Sequence, residues 1–204
     1  MTLVKKNMTL GIILISLGVL LIILGTVFLI KNSNKIGEAI EAVKKENEII
    51  ITEKQRGDDF EKYIAQKFSK NHFTILEWTS DKYIEGMCVM SKTNPDLTLR
   101  FKMKDIEKDF SVECKYKSNY YKSGVEWCSN QQLQNYKTFA TDNGIAVFVA
   151  IGIGGVATAA DDLFIIPLAE ISDIFLTKSF LRKYKKNKFK ETNMFYDYKV
   201  GRLK

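Results

Sequence analysis

The chain opens on an uncharged run. From Met8 to Ile30 it reads MTLGIILISLGVLLIILGTVFLI, without one charged residue. As a helix rising 1.5 Å per residue, this run spans about 34 Å, enough to cross a hydrocarbon core of roughly 30 Å. It exceeds the apolar stretch of a secretory signal, and no small-x-small cleavage pattern follows it. The pattern predicts a short segment over 1–7 and an uncleaved transmembrane helix over 8–30. Lysines flank both ends, with Lys31, Lys35, Lys44 and Lys45 slightly outnumbering Lys5, Lys6 and the terminal amine. That balance leans the soluble part towards the cytoplasm of a single-pass membrane protein.

The pattern then turns polar and helix-forming over 31–55, which predicts a juxtamembrane helical stalk with breaks at Gly37 and Gly57. A second helix is expected to start near Asp58, a capping residue. Its Phe60, Tyr63, Ile64, Lys67 and Phe68 recur at helical spacing and form one stripe. From there the period changes to two. HFTILEW, NPDLTLRFKMK and FSVECKY read as strands, with KDIEKD as the connection between the last two. WCSNQQLQNYKTFATDNG reads as a helix stopped by Gly144. IAVFVAIGI is apolar throughout and fits a strand covered on both faces. DDLFIIPLAEI supplies a last strand whose Pro167 suits an edge or an end. This order predicts an α/β domain over 56–172, a mixed central sheet flanked by helices, followed by a basic tail over 173–204.

Composition narrows the chemistry. The net charge of +7 suits an anionic partner, either nucleic acid or a lipid head-group surface. Three cysteines, Cys88, Cys114 and Cys128, form no CxxC pair, and His72 is the one histidine, so a zinc site lacks ligands. The cysteines are expected to be small core residues and His72 a surface or turn residue. Trp78 and Trp127 are expected in the core. GIGG at 152–155 lacks the GK[ST] ending of a phosphate loop and is read as a strand-ending turn. The basic stretch from Lys178 to Lys190 is open to three readings: a solvated face, a contact with DNA phosphates, or a contact with lipid.

What carries chemistry is a pair of carboxylates. Asp96 stands at the start of one predicted strand and Glu113 near the end of the next, so a hairpin brings them together. Two carboxylates without histidine or cysteine make a hard oxygen site, suited to Mg²⁺ or Mn²⁺. Lys115 shares the strand face of Glu113, where it can act on an attacking water or on the charge of a phosphate. Glu61 is a further acid near the sheet.

NPD at 94–96 followed by VECK at 112–115 resembles the PD-(D/E)XK motif of the restriction-endonuclease-like nuclease superfamily. GDDFEKYIA at 57–65 is similar to the first helix of that fold, and QQLQNY, with Gln132 and Tyr136, resembles the QxxxY pattern of its RecB-type members. The likeness spans about 56–172 and leaves out the anchor and the tail. It implies a Mg²⁺- or Mn²⁺-dependent endonuclease acting on DNA, which the predicted helix over 8–30 would tether to a membrane, with Asp96, Glu113, Lys115 and Gln132 as catalytic residues. It further implies metal ligation by Asp96, Glu113, the backbone carbonyl of Cys114 and Glu61. Nucleic-acid contacts are expected from Tyr136, Lys117, Lys183, Lys185 and Lys186. The partners expected are nucleic acid and, through residues 8–30, a lipid bilayer; a homodimer is compatible with both. An inactive nuclease-fold module that binds nucleic acid or a protein is the alternative.

Overall fold

Two halves of one hairpin explain most of the architecture. LTLRFKM and IEKDFSVECKYK alternate in polarity and meet at a tight turn, Lys104–Asp105, with Lys104 at φ 54°. The expected connection KDIEKD is therefore mostly strand, because a two-residue turn suffices once the left-handed position is tolerated. The computed structural model describes residues 35–38, 40–45, 52–79, 83–84, 87–88, 94–187 and 192–204. The chain divides into Met1–Thr52 and Glu53–Lys204.

In the first unit, residues 35–38 and 40–45 are helical, with Ile36, Ile40 and Val43 exposed. Gly37 is helical and breaks nothing. The transmembrane run over 8–30 lies outside the described residues. Among the described helices none is long and apolar enough to cross a membrane.

The second unit begins with helix α1 over 52–66. It starts before Asp58 and carries Gly57 inside it, a glycine that costs about 1 kcal/mol relative to alanine without ending the helix. There follow strands β1 (Phe73–Trp78), β2 (Tyr83–Ile84), β3 (Met87–Cys88), β4 (Leu97–Met103), β5 (Ile106–Lys117) and β6 (Gly124–Glu126). Helix α2 (Asn130–Asn143), strands β7 (Ala146–Ile153) and β8 (Asp162–Pro167), strand β9 (Phe175–Thr177) and helix α3 (Lys178–Arg182) come next. A small hairpin, β10 (Tyr196–Asp197) with β11 (Arg202–Leu203), closes the chain.

The main sheet has the order β1-β4-β5-β7-β8. β5 pairs antiparallel with β4 and parallel with β7, and β8 returns antiparallel on the edge, where Pro167 ends it as expected. β7 is buried along nearly all its length, the consequence of cover on both faces. On one face, Phe60 and Ile64 of α1 pack on Leu97, Phe110, Val112 and Cys114. On the other, Leu133 and Tyr136 of α2 pack on Val147, Val149 and Ile151. Gly152 fixes the first contact, since a Cβ there would lie 2.4 Å from the Phe60 ring.

The segment read as a basic tail is folded into this unit. Leu176 and Leu181 are buried in the α2-side core, and Met194, Tyr196 and Leu203 in the α1-side core. Apolar residues set among its lysines supply that packing. Cys114 and Cys128 are free and buried, His72 is an exposed turn residue, and GIGG ends β7 in a turn with Gly154 and Gly155 at positive φ.

Candidate active site

β5 is longer than β4, and the mismatch makes a notch. The β4–β5 ladder stops at Leu97↔Val112, whereas on its other side β5 stays paired with β7 as far as Lys117↔Ile153. Glu113 to Lys117 thus have no β4 neighbour. Pro95 and Asp96 occupy the gap. Asp96 Oδ2 accepts the Cys114 amide at 2.7 Å, taking the place of the missing strand's carbonyl. Continuing the register would bring Pro95 opposite Cys114, and proline has no N–H to give the Cys114 carbonyl. That carbonyl, on the same side of the strand as the amide, is left available. The Thr79 amide donates to the Asp96 carbonyl at 2.8 Å and fixes the turn from behind.

Glu113 enters from β5, only 1% exposed. The Tyr136 hydroxyl donates to its Oε1 at 2.6 Å, and Lys115 Nζ lies 2.6 Å from the same oxygen. Its Oε2 is buried with no partner at all. A carboxylate oxygen held dry and unbonded is costly unless something arrives to meet it. Tyr136 is itself buried and stacks on Trp127 at 6.1 Å, so its hydroxyl is held in place from α2.

Glu61 enters from α1, where Trp78 Nε1 donates to its Oε2 at 3.3 Å. Burial pushes its carboxyl up to about 7, with Asp58 and Glu113 adding repulsion against the pull of Trp78 and Lys115. Burial, and then Glu113 and Glu61, raise Asp96 well above its ordinary value. Burial works to lower Lys115, but Glu113 and Asp96 outweigh it and hold the amine as an ammonium. The cleft, ≈ 370 Å³, is lined by Asp58, Glu61, Asp96 and Glu113 against Lys115, together with Gln132. Four carboxyl groups thus face one ammonium in this cleft. A larger cavity of ≈ 470 Å³, lined by Ala140, Phe148, Pro167 and Leu168, has no acid on its wall and no comparable chemistry.

The chain matches no family model, and no curated protein matches it. Among solved structures it is similar to Archaeoglobus fulgidus Hjc, a Holliday junction resolvase from an archaeal hyperthermophile. The identity is 14% and the TM-score 0.44, over 63% of this chain and 93% of that one.

The fold brings Asp96, Glu113, Cys114, Lys115, Gln132, Tyr136 and Glu61 to one cleft. Two of them differ from expectation. Tyr136 is 3% exposed and lines the cleft from behind Glu113, to which its hydroxyl donates. Gln132 is engaged at the head of α2: its Oε1 accepts the Ser129 amide at 3.1 Å while Ser129 Oγ accepts the Gln132 amide at 3.2 Å. Ser-x-x-Gln is a capping box, legible in the sequence. Lys117, Lys183, Lys185 and Lys186 do not line the cleft. The last two run along β8, where Lys185 pairs with Asp162 at 2.5 Å and the Lys186 amide donates to Leu163.

Sequence reasoning missed Asp58, on the cleft wall, and Trp78, which is 40% exposed and holds Glu61 rather than filling the core. The indole N–H at a strand end, needing a partner, was the available signal.

Proposed function

We propose that this chain is a metal-dependent nuclease that hydrolyses phosphodiester bonds, in DNA first of all, and is tethered to a membrane by residues 8–30. One observation carries the reading: Glu113, dry and with one oxygen unpartnered, beside Asp96 at a notch whose acids outnumber its cations. The acid excess and the all-oxygen donor set fit Mg²⁺ or Mn²⁺. Asp96, Glu113 and the Cys114 carbonyl would hold the ion, with Glu61 beside them. Among the described residues no group of three or more His, Cys, Asp or Glu side chains is arranged to hold a metal ion, so the proposed ligand set rests on two carboxylates and a backbone carbonyl. Such an ion, when bound, lowers the pKa of water and offsets charge on phosphate oxygens.

The protein's own groups divide the remaining work. Lys115, kept as an ammonium by its carboxylate neighbours, stabilises the negative charge that gathers on the phosphate during attack. Glu61 faces the same cleft, its carboxylate held there by the Trp78 indole N–H. Tyr136 holds Glu113 in one orientation, and Asp96 is fixed by the Cys114 amide.

The test is cleavage of labelled DNA by the purified full-length chain in Mg²⁺. Cutting is expected in Mg²⁺ and not in chelator. Glu113→Ala and Lys115→Ala should each lose at least about a hundredfold in rate, the order expected for loss of a preorganised charge-stabilising group. Equal cutting by those variants would end the assignment.

A further inference from the structure

Beyond Lys117 the chain leaves the sheet through residues 118–123 and returns as β6, and this excursion is tied down at several points. Arg56 Nη1 donates to Ser118 Oγ at 2.8 Å, joining the loop to the stretch of α1 that carries Asp58 and Glu61 on the cleft wall. The Tyr120 hydroxyl donates to Asp162 at 2.7 Å, and Lys178 Nζ sits 4.5 Å from the Tyr120 ring centre. The Lys178 amide donates to the Ser123 carbonyl at 2.8 Å. Gly124 is pressed so close to β9 that a Cβ would lie 2.1 Å from the Leu176 carbonyl oxygen.

At the tip, Tyr121 and Gly124 exchange backbone hydrogen bonds of 2.9 and 3.1 Å around a two-residue turn. Lys122 sits there at φ 52°, a left-handed conformation in which glycine would be relaxed. This scaffold presents Tyr121, which is 57% exposed, with Lys122 Nζ 5.0 Å from its ring centre. A lone exposed ring is ordinary on a protein surface. This one stands on an anchored tip, beside Lys122, and six residues along the chain from Lys115, no more than about 20 Å of extended backbone.

We propose that Tyr121, flanked by Lys122, is a stacking platform for an unpaired base of a nucleic acid whose backbone enters the cleft; the proposal deepens the nuclease reading and rests on it. Within a duplex, neighbours cover both faces of every base. A protein ring therefore stacks on bases in single strands, gaps, flaps or ends. The neighbouring lysine answers the phosphate charge. The substrate class this points to is nucleic acid with a single-stranded portion next to the scissile bond.

The experiment measures binding, not cutting. Fluorescence anisotropy in chelator follows the full-length chain on a labelled single-stranded DNA oligonucleotide and on the same strand annealed to its complement. Tyr121→Ala should weaken single-strand binding by about tenfold or more, while Tyr121→Phe stays within about twofold of wild type. Duplex binding should change by less than about twofold in either variant. Lys122→Gly, which relaxes the backbone and so melts no lower than wild type, should flatten the salt dependence of single-strand binding by roughly one phosphate contact. Unchanged single-strand binding by Tyr121→Ala overturns the platform, as does an equal loss on duplex or a Phe variant as weak as Ala. A wild-type chain that binds no single strand overturns it too. A chain that binds through Tyr121 and never cuts refutes the nuclease reading alone.

Discussion

Glu61, Asp96 and Glu113 crowd around one ammonium, and the proton balance of Glu61 and Asp96 sets how the metal-free protein responds to pH. The folded-state value of Glu61, about 7, lies above its usual 4.5, so the folded chain holds that proton more tightly than the unfolded one. The stability this gives is complete below pH 4.5 and is lost as pH rises through 7. Asp96, raised in the same direction, adds to the loss. In chelator the melting temperature should fall between pH 5.5 and pH 8, and Glu61→Gln should flatten the fall. Mg²⁺ competes with the same protons, so its stabilising shift should be larger at pH 8 than at pH 5.5; equal shifts would contradict this. Tyr136→Phe removes the hydroxyl from a buried carboxylate and should cost roughly 1.5–3 kcal/mol by chemical denaturation. At this scale the sequence discloses that Asp96, Glu113 and Lys115 share one cleft, because the spacing of two strands in a hairpin brings them together. It does not disclose that Tyr136 serves Glu113 or that Trp78 serves Glu61, since each role depends on a partner far along the chain.

One cap within an element and one contact between elements hold the cleft together. Ser129→Ala dismantles the capping box of α2, the helix that carries Tyr136, and should cost about 1 kcal/mol in a denaturation curve. Gly152→Ala places a methyl group against the Phe60 ring and should cost about 1–3 kcal/mol, displacing the α1 residues next to Glu61. The strands and α2 were readable because alternation and capping residues are local signals. The start of α1 was misplaced because a glycine and a capping aspartate, Gly57 and Asp58, lie inside the helix. The β2–β3 and β6–β9 pairs were missed, their strands being too short for any period to register. The segment after 172 concealed its role because Leu176, Leu181 and Tyr196 are scattered among lysines, and charge dominates a local reading.

Across the whole molecule, the sheet order gathers segments that are distant in sequence, with β5 between an antiparallel and a parallel neighbour. On the proposed reading, the net charge of +7 has to draw a polyanion towards a cleft lined by four acids, so lysines outside the cleft supply much of the attraction. Binding to single-stranded DNA should therefore weaken roughly 10- to 100-fold between 50 and 200 mM salt. Anisotropy titrations check this; a flat response would place the attraction elsewhere. The notch has one more consequence. Asp96 is the final rung of the β4–β5 ladder, its carboxylate standing in for a backbone carbonyl on the Cys114 amide. An ion that draws on Asp96 pulls on that rung as well. Amide hydrogen exchange at Cys114 should then report whether the site is filled, with no substrate present and no bond cut.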